Sequence, residues 1–454
     1  MSWKDFQKNN HKAGRQRINV KRLPNKSKVL FSLLAIGICA FLIDVIRPLS
    51  HADNKQSSQD QISSITSQQD EKELTWLGLF QNHLDWRVLE HGLNRVVMKN
   101  KDSSWQVNLT VEEDLQKYIQ KKLAYYEVDF GAIAAINPNT GAVVGLTSYS
   151  NKDHKHDYSL RAAFPAASVF KVVTASAALE YKKWNYNTNI RYQGNTKYVT
   201  EKNSSTPGGS YKMPLHEAFA KSTNLIFGKI GRMILNKQLL LRKANDYGFA
   251  QQIPFDMPLD LSYIKFENDD ISVAEVAAGL GDVSLSPVHA AMIAACVSND
   301  GIMMKPYVVK NVVNENDEVL YQVDSKMWKK CLNSEVILDL KKMMQSTIDI
   351  GTAKKSFRGY KTNPVLKDLS IGGKTGSKTN LKLKGWNEWF VGYAEQGDEK
   401  LAIGIVIVSQ KYWKVKPSQL SKDIFQYYFS KKRQKDKKQP KVIEIRSNLD
   451  EKKQ

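Results

Sequence analysis

The chain has 454 residues, enough for one large domain or two ordinary ones, and a formal net charge of +21. The ends carry most of that charge: residues 1–28 contribute a net +8 and residues 431–454 a net +6, leaving +7 over residues 29–430. No zinc-finger spacing, helix-turn-helix signature or aromatic RNA-binding motif accompanies the basic balance, so no nucleic-acid partner is assigned. Eight histidines without metal-ligand spacing give no metal centre, and no cofactor is implied.

From the N-terminus, residues 1–28 read as a basic cytoplasmic tail with nine Lys and Arg against one Asp. Residues 29–46 are apolar apart from Asp44. As a helix they span about 27 Å, close to the hydrocarbon thickness of a bilayer. With the cations in front and only Arg47 close behind, the tail stays in the cytoplasm and the bulk of the chain lies outside. The run is long for a signal-peptide core and no small-x-small site follows it. Ile38 before Cys39 does not suit a lipoprotein site. An uncleaved, single-pass transmembrane anchor is the expectation.

Residues 47–75 read as a flexible linker, because 50–72 are rich in Ser, Gln and Asp with almost no large apolar residue. Its root-mean-square reach is roughly 27 Å. Residues 76–104 follow as an amphipathic helical segment, with Trp76, Leu77, Leu79, Phe80, Leu84, Trp86, Val88 and Leu89 as its apolar members. The pattern suits a helix packed on the domain or one lying on the membrane.

The main domain is expected over 105–430. It opens with a helix near 110–126, where Thr110 and Glu113 have capping-box spacing. A hairpin over 131–148 turns at Asn137-Pro138-Asn139-Thr140-Gly141. A long, mostly helical middle runs from 168 to about 350. Three strands near 370–408 and an amphipathic helix around 418–429 close the domain, and 431–454 reads as a solvated basic tail that could graze anionic lipid or wall polymer. Strands at both sequence ends with helices between them predict an α+β (mixed α/β) fold with an antiparallel sheet built from both termini. Cys296 lies in an apolar helical run and reads as a core residue; a disulfide with Cys331 stays open.

Three short words carry the chemistry. Ser168-Val169-Phe170-Lys171 offers a hydroxyl with an amine one turn away, on one face of a helix that begins after Pro165. Ser222-Thr223-Asn224 adds a hydroxyl and an amide. Lys374-Thr375-Gly376, followed by Ser377, adds an ammonium and two hydroxyls on an edge strand of the closing meander. Together they supply nucleophile, base, proton relay and anion anchor for acyl transfer without a catalytic histidine. A second Ser-x-x-Lys, Ser262 to Lys265, precedes an acidic stretch with no Ser-x-Asn after it and is read as a decoy.

The words, their order and their setting resemble the penicillin-recognising serine acyltransferases, which comprise penicillin-binding proteins and serine β-lactamases. Asn108 to Gln116, Ala132 to Leu146, Gly279-Leu280-Gly281-Asp282 and Gly351-Thr352-Ala353 are similar to further segments of the penicillin-binding transpeptidase domain. The resemblance implies a five-stranded antiparallel sheet flanked by helices, an all-helical lobe, and a catalytic serine where the two meet. It implies Ser168 as nucleophile, Lys171 as base, Ser222 as proton relay and Lys374 as the fourth catalytic residue. Asn224, Thr375, Gly376 and Ser377 become substrate-binding residues, with the amides of Ser168 and Ser377 as oxyanion hole. For Lys171 to act as base its pKa must fall, and burial and the like charge of Lys374 are the two available causes.

The implied activity is a peptidoglycan D,D-transpeptidase that forms an acyl-serine from a D-Ala–D-Ala stem peptide and binds β-lactams covalently. A D,D-carboxypeptidase or β-lactamase, hydrolysing the same intermediate, stays open, as does a silent β-lactam sensor. The chain departs from larger members of the family in having Ala166-Ala167 before Ser168 where Pro-Gly is commoner. Room between anchor and domain is too small for a glycosyltransferase, so a separate cell-wall polymerase is the expected partner.

Overall fold

The computed structural model describes residues 73–85, 87–90, 92–99, 104–153 and 157–438. The expected anchor at 29–46 and most of the linker lie outside them. Among the described residues, no helix is long and apolar enough to cross a membrane.

The architecture is the expected α+β one. Its centre is a five-stranded sheet of β3 (Phe130–Ile136), β4 (Val143–Tyr149), β7 (Ser370–Asn380), β8 (Gly385–Gln396) and β9 (Glu399–Ser409), in the order β7-β8-β9-β3-β4. All neighbours are antiparallel. The expected hairpin supplies β3 and β4, and the closing meander supplies β7 to β9, with the Lys374 word on the edge strand.

Both faces of the sheet are covered, which explains why its inner strands read as continuous apolar runs rather than alternating ones. Ile133, Ala135, Ile403, Ile405 and Phe390 pack with Leu115, Ile119 and Leu123 of α1 (Glu113–Tyr125) and with Leu420, Ile424 and Phe425 of α9 (Pro417–Lys438). Ala132, Ala134, Ala402, Val406 and Val391 face the other core, which contains α7 (Pro287–Ser298). Helix α7 is buried along its whole length. It comes so near the sheet that a Cβ on Gly404 would lie 2.4 Å from the Pro287 carbonyl oxygen.

A helical lobe holds α2 (Lys171–Tyr181), α3 (Leu215–Ala220), α4 (Asn224–Lys229), α5 (Lys237–Asp246), α6 (Asp270–Ala278) and α8 (Ser334–Asp349). The middle of the chain is less helical than expected. Strands β5 (Val309–Val313) and β6 (Val319–Gln322) join β1 (Arg95–Lys99) and β2 (Ser104–Leu109) in a four-stranded sheet, β1-β2-β5-β6. Val309 pairs with Leu109 and Val312 with Val107, so the valine-rich run finds its partner about two hundred residues away in sequence.

That sheet also corrects the reading of 76–104. Helix covers 73–83 and Arg87–Glu90, after which β1 turns back onto β2. The first helix packs on the domain: Phe80 is fully buried and Trp76 lies 5.9 Å from the Tyr321 ring. The capping box is absent as well. Helix α1 starts at Glu113 with no side-chain cap, and the Thr110 hydroxyl donates instead to the Val143 carbonyl at 2.6 Å, a tertiary acceptor that outcompetes the helix end. At the far end, α9 runs to Lys438, beyond the expected tail boundary. Lys432 pairs with Glu112 at 3.1 Å and Arg433 donates to the Pro364 carbonyl at 2.7 Å, so these cations hold the helix to the domain. Cys296 and Cys331 are buried free thiols.

Candidate active site

Ser168 sits on a 3₁₀ turn, Ala167–Phe170, that leads into α2. The turn is entered through Ala167 at φ +50°, a left-handed conformation that an L side chain adopts at some cost. It is braced from behind by Gly279, the left-handed C-cap of α6: a Cβ there would lie 2.1 Å from the Ala167 carbonyl oxygen. Strand β7 passes in front, where a Cβ on Gly376 would come within 3.2 Å of the Val169 nitrogen. Turn, helix cap and edge strand therefore meet around one hydroxyl.

Lys171 is fully buried, and its Nζ lies 2.7 Å from Ser168 Oγ. The amine also donates to Asn224 Oδ1 at 2.9 Å and to the Ala278 carbonyl. Burial, and after it the charge of Lys374, hold its pKa well below the ordinary lysine value. Among the described residues, no carboxylate hydrogen-bonds this amine. A neutral amine has two hydrogens and one lone pair. In that neutral form, with both hydrogens given to the Asn224 and Ala278 oxygens, the lone pair would be left for the serine hydroxyl.

Lys374 is the second buried amine. It donates to Ser222 Oγ at 2.9 Å and to the Thr375 carbonyl at 2.8 Å. Burial alone brings its pKa down to about 7. The Phe219 ring lies 5.4 Å from Lys374 Nζ and the Phe227 ring 5.6 Å from Lys171 Nζ. Ser222 is held at φ +58° between α3 and α4, and Asn224 opens α4 with its Nδ2 donating to the Lys197 carbonyl at 2.9 Å. Thr375 shares a short hydroxyl contact with Thr352, while Ser377 is exposed. Thr375 and Ser377, two apart on a strand, share a face.

The structure thus brings Ser168, Lys171, Ser222, Asn224, Lys374 and Thr375 into one linked cluster, with Gly376 and Ser377 at its edge. The decoy stays outside: Ser262 is buried, and Lys265 pairs with exposed Glu267 at 3.0 Å. Several contributors carried no side-chain signal. The Ala278 and Lys197 carbonyls act through backbone alone. Lys378 spans from β7 to the Leu280 and Gly281 carbonyls at 2.6 and 2.7 Å, locking the 279–281 loop beside the turn. Its one sequence hint is position, four residues after Lys374.

Sheet, helical lobe and the serine–lysine cluster between them define a class of mixed α/β domain with two buried amines, each bonded to its own serine hydroxyl. Residues 131–427 match the family of the penicillin binding protein transpeptidase domain, and the chain belongs to that family. Stage V sporulation protein D of Bacillus subtilis is 24% identical over 332 residues, covering 67% of this chain and 50% of that protein. Peptidoglycan D,D-transpeptidase PbpA of Mycobacterium tuberculosis is 24% identical over 317 residues, 61% of each chain. The chain therefore spans between half and about three-fifths of these relatives' length. Among solved structures, the D,D-transpeptidase domain of a peptidoglycan glycosyltransferase from Eggerthella lenta has a TM-score of 0.59 at 22% identity, covering 72% of this chain and 83% of that one. The imipenem acyl-enzyme of penicillin-binding protein A from M. tuberculosis has a TM-score of 0.60 at 19% identity, covering 71% and 79%. These two likenesses establish the fold.

Proposed function

We propose that this chain is a membrane-anchored peptidoglycan D,D-transpeptidase acting through an acyl-serine on Ser168. The observation that carries the proposal is the buried, carboxylate-free Lys171 amine 2.7 Å from Ser168 Oγ. Lys171 takes the hydroxyl proton as Oγ bonds to the carbonyl carbon of the penultimate D-alanine. The amides of Ser168 and Ser377 receive the developing negative charge, typically the largest electrostatic contribution in acyl transfer. Ser222 passes a proton to the departing D-alanine amine as the C–N bond breaks. An amine of a neighbouring strand then attacks the ester and restores the serine hydroxyl.

Binding follows from the same elements. Lys374, Thr375 and Ser377 grip the terminal carboxylate, and Asn224 offers its second Nδ2 hydrogen to a substrate amide. A stem peptide laid along β7 extends the sheet by one strand, since β7 is its edge. The 29–46 stretch holds the domain at the outer face of the membrane, where a separate polymerase supplies new strands.

Intact-protein mass spectrometry after benzylpenicillin exposure tests the nucleophile: an adduct on Ser168 is expected, and its absence sinks the proposal. Incubation with a D-Ala–D-Ala donor and an amine acceptor, sorted by product mass, tests the reaction. Transfer product supports the transpeptidase, whereas hydrolysis alone assigns the chain to the carboxypeptidases.

A further inference from the structure

A cleft of about 520 Å³ opens beside the site, lined by Tyr192, Gln193, Gly194, Asn195, Thr196 and Tyr211. That volume is within the usual range for ligand pockets, about 300–1,000 Å³. One end of its lining is tied to the segment that follows Ser222: the Thr196 carbonyl accepts the Leu225 amide at 3.0 Å, and the next carbonyl, Lys197, accepts Asn224 Nδ2 at 2.9 Å.

Its aromatic wall stands on a two-stranded ribbon, Asn189–Tyr192 with Tyr211–Pro214, in which Tyr192 pairs with Tyr211. The two rings lie 5.7 Å apart at 30°, and Tyr211 is 58% exposed. A buried lysine that the reaction does not use fixes this wall. Lys229, 5% exposed, donates to the Arg191 carbonyl at 2.8 Å and the Gly208 carbonyl at 2.9 Å, tying the ribbon to α4. Gly209, at φ +130°, allows the chain to cross the Tyr192 backbone, where a Cβ would lie 2.2 Å away. On the loop side, Gln193 Oε1 accepts the Ser210 amide and Asn195 Oδ1 accepts the Lys197 amide. Their side-chain NH₂ groups remain to meet a ligand's acceptors.

The lining is uncharged. A stem peptide, with its carboxylates, calls for cations; two tyrosine rings and two amide donors match a pyranose instead. Ring C–H groups lie on aromatic faces, and hydroxyl and N-acetyl oxygens accept from amides. We infer that this cleft is a subsite for an N-acetylated sugar of the glycan strand whose stem peptide occupies the catalytic centre, an inference that rests on the function proposed above.

The test uses the full chain in detergent and compares Tyr192→Ala and Tyr211→Ala with the unsubstituted protein. Penicillin acylation rate reports the catalytic centre and the fold, and is expected to stay within about twofold. With a free D-Ala–D-Ala pentapeptide, kcat/KM should likewise hold. With the same peptide on its disaccharide, kcat/KM should fall about tenfold, mainly through KM, as expected for lost uniform binding. Tyr192→Phe and Tyr211→Phe, which keep the rings, should retain the disaccharide advantage. Equal losses on both donors, or no loss on either, overturn the inference. Calorimetric titration with the peptide-free disaccharide separates the two claims. If the chain turns over neither donor, the function above fails, and disaccharide binding that Tyr211→Ala abolishes still upholds the subsite. No measurable disaccharide binding together with no disaccharide preference removes it.

Discussion

At the residue scale, the site works by desolvation more than by ion pairing. Two buried lysines each lie against one ring of the Phe219–Phe227 pair, and Lys171 bears both burial and its neighbour's charge, which lower its pKa. Under the proposed mechanism, Lys171→Ala removes the base while leaving Ser168 and its turn. Acylation by a fluorescent penicillin, followed by gel densitometry, should slow by about 10²- to 10⁴-fold, the range for general-base loss. Under the same proposal the two amines set opposite limbs of the pH profile. Acylation needs Lys171 neutral, so the rate climbs as pH rises through its lowered pKa. Carboxylate anchoring needs Lys374 charged, so the rate falls as pH passes about 7, where that amine deprotonates. The second-order acylation rate of the free enzyme should therefore trace a bell whose alkaline limb lies far below the ordinary lysine range. A rate that rises steadily to about pH 10 would contradict the assignment of Lys374.

At the scale of elements, the nucleophile turn is the tightest junction. Its Ala167 carries a methyl group in the left-handed region, while Gly279 behind it has no space for one. Gly279→Ala should cost roughly 1–2 kcal/mol from the backbone conformation alone, with collision against the turn added. Thermal unfolding should drop and acylation should slow at least about tenfold, since small misplacements of a reacting group are expensive. The opposite change, Ala167→Gly, relieves strain at the cost of unfolded-state entropy. A net gain of about 0.5–1 kcal/mol with acylation retained is expected from denaturant unfolding. These paired outcomes distinguish a turn under strain from one that tolerates either residue.

At the scale of the whole molecule, the N-terminal helix 73–83 is part of the domain's core rather than a spacer. Phe80 is fully buried against Trp76 and Tyr321, and Glu73 pairs with Lys326 and Lys305. Phe80→Ala should destabilise the described domain by about 3–5 kcal/mol, the usual range for a buried phenylalanine, measurable by urea denaturation. Much of the fold was legible beforehand: the 131–148 hairpin, the three closing strands, the final helix and the three chemical words. Each is a local pattern whose period or spacing lies within a few residues. The four-stranded sheet was not legible, because the β5–β6 hairpin is completed by β2, about two hundred residues upstream of β5, and a pairing that distant leaves no local pattern. Thr110 misled for the same reason, as its hydroxyl found a carbonyl on another element. What the amino-acid order offered by itself was the set of groups to which the chemistry is proposed to belong, and the order in which they occur. Only the folded chain decided that Lys171 sits 2.7 Å from Ser168 with the Ala278 carbonyl, 107 residues on, as a further acceptor, and that both amines are out of water. Proton affinity depends on what surrounds a group in space, and that surrounding is assembled from segments distant in sequence.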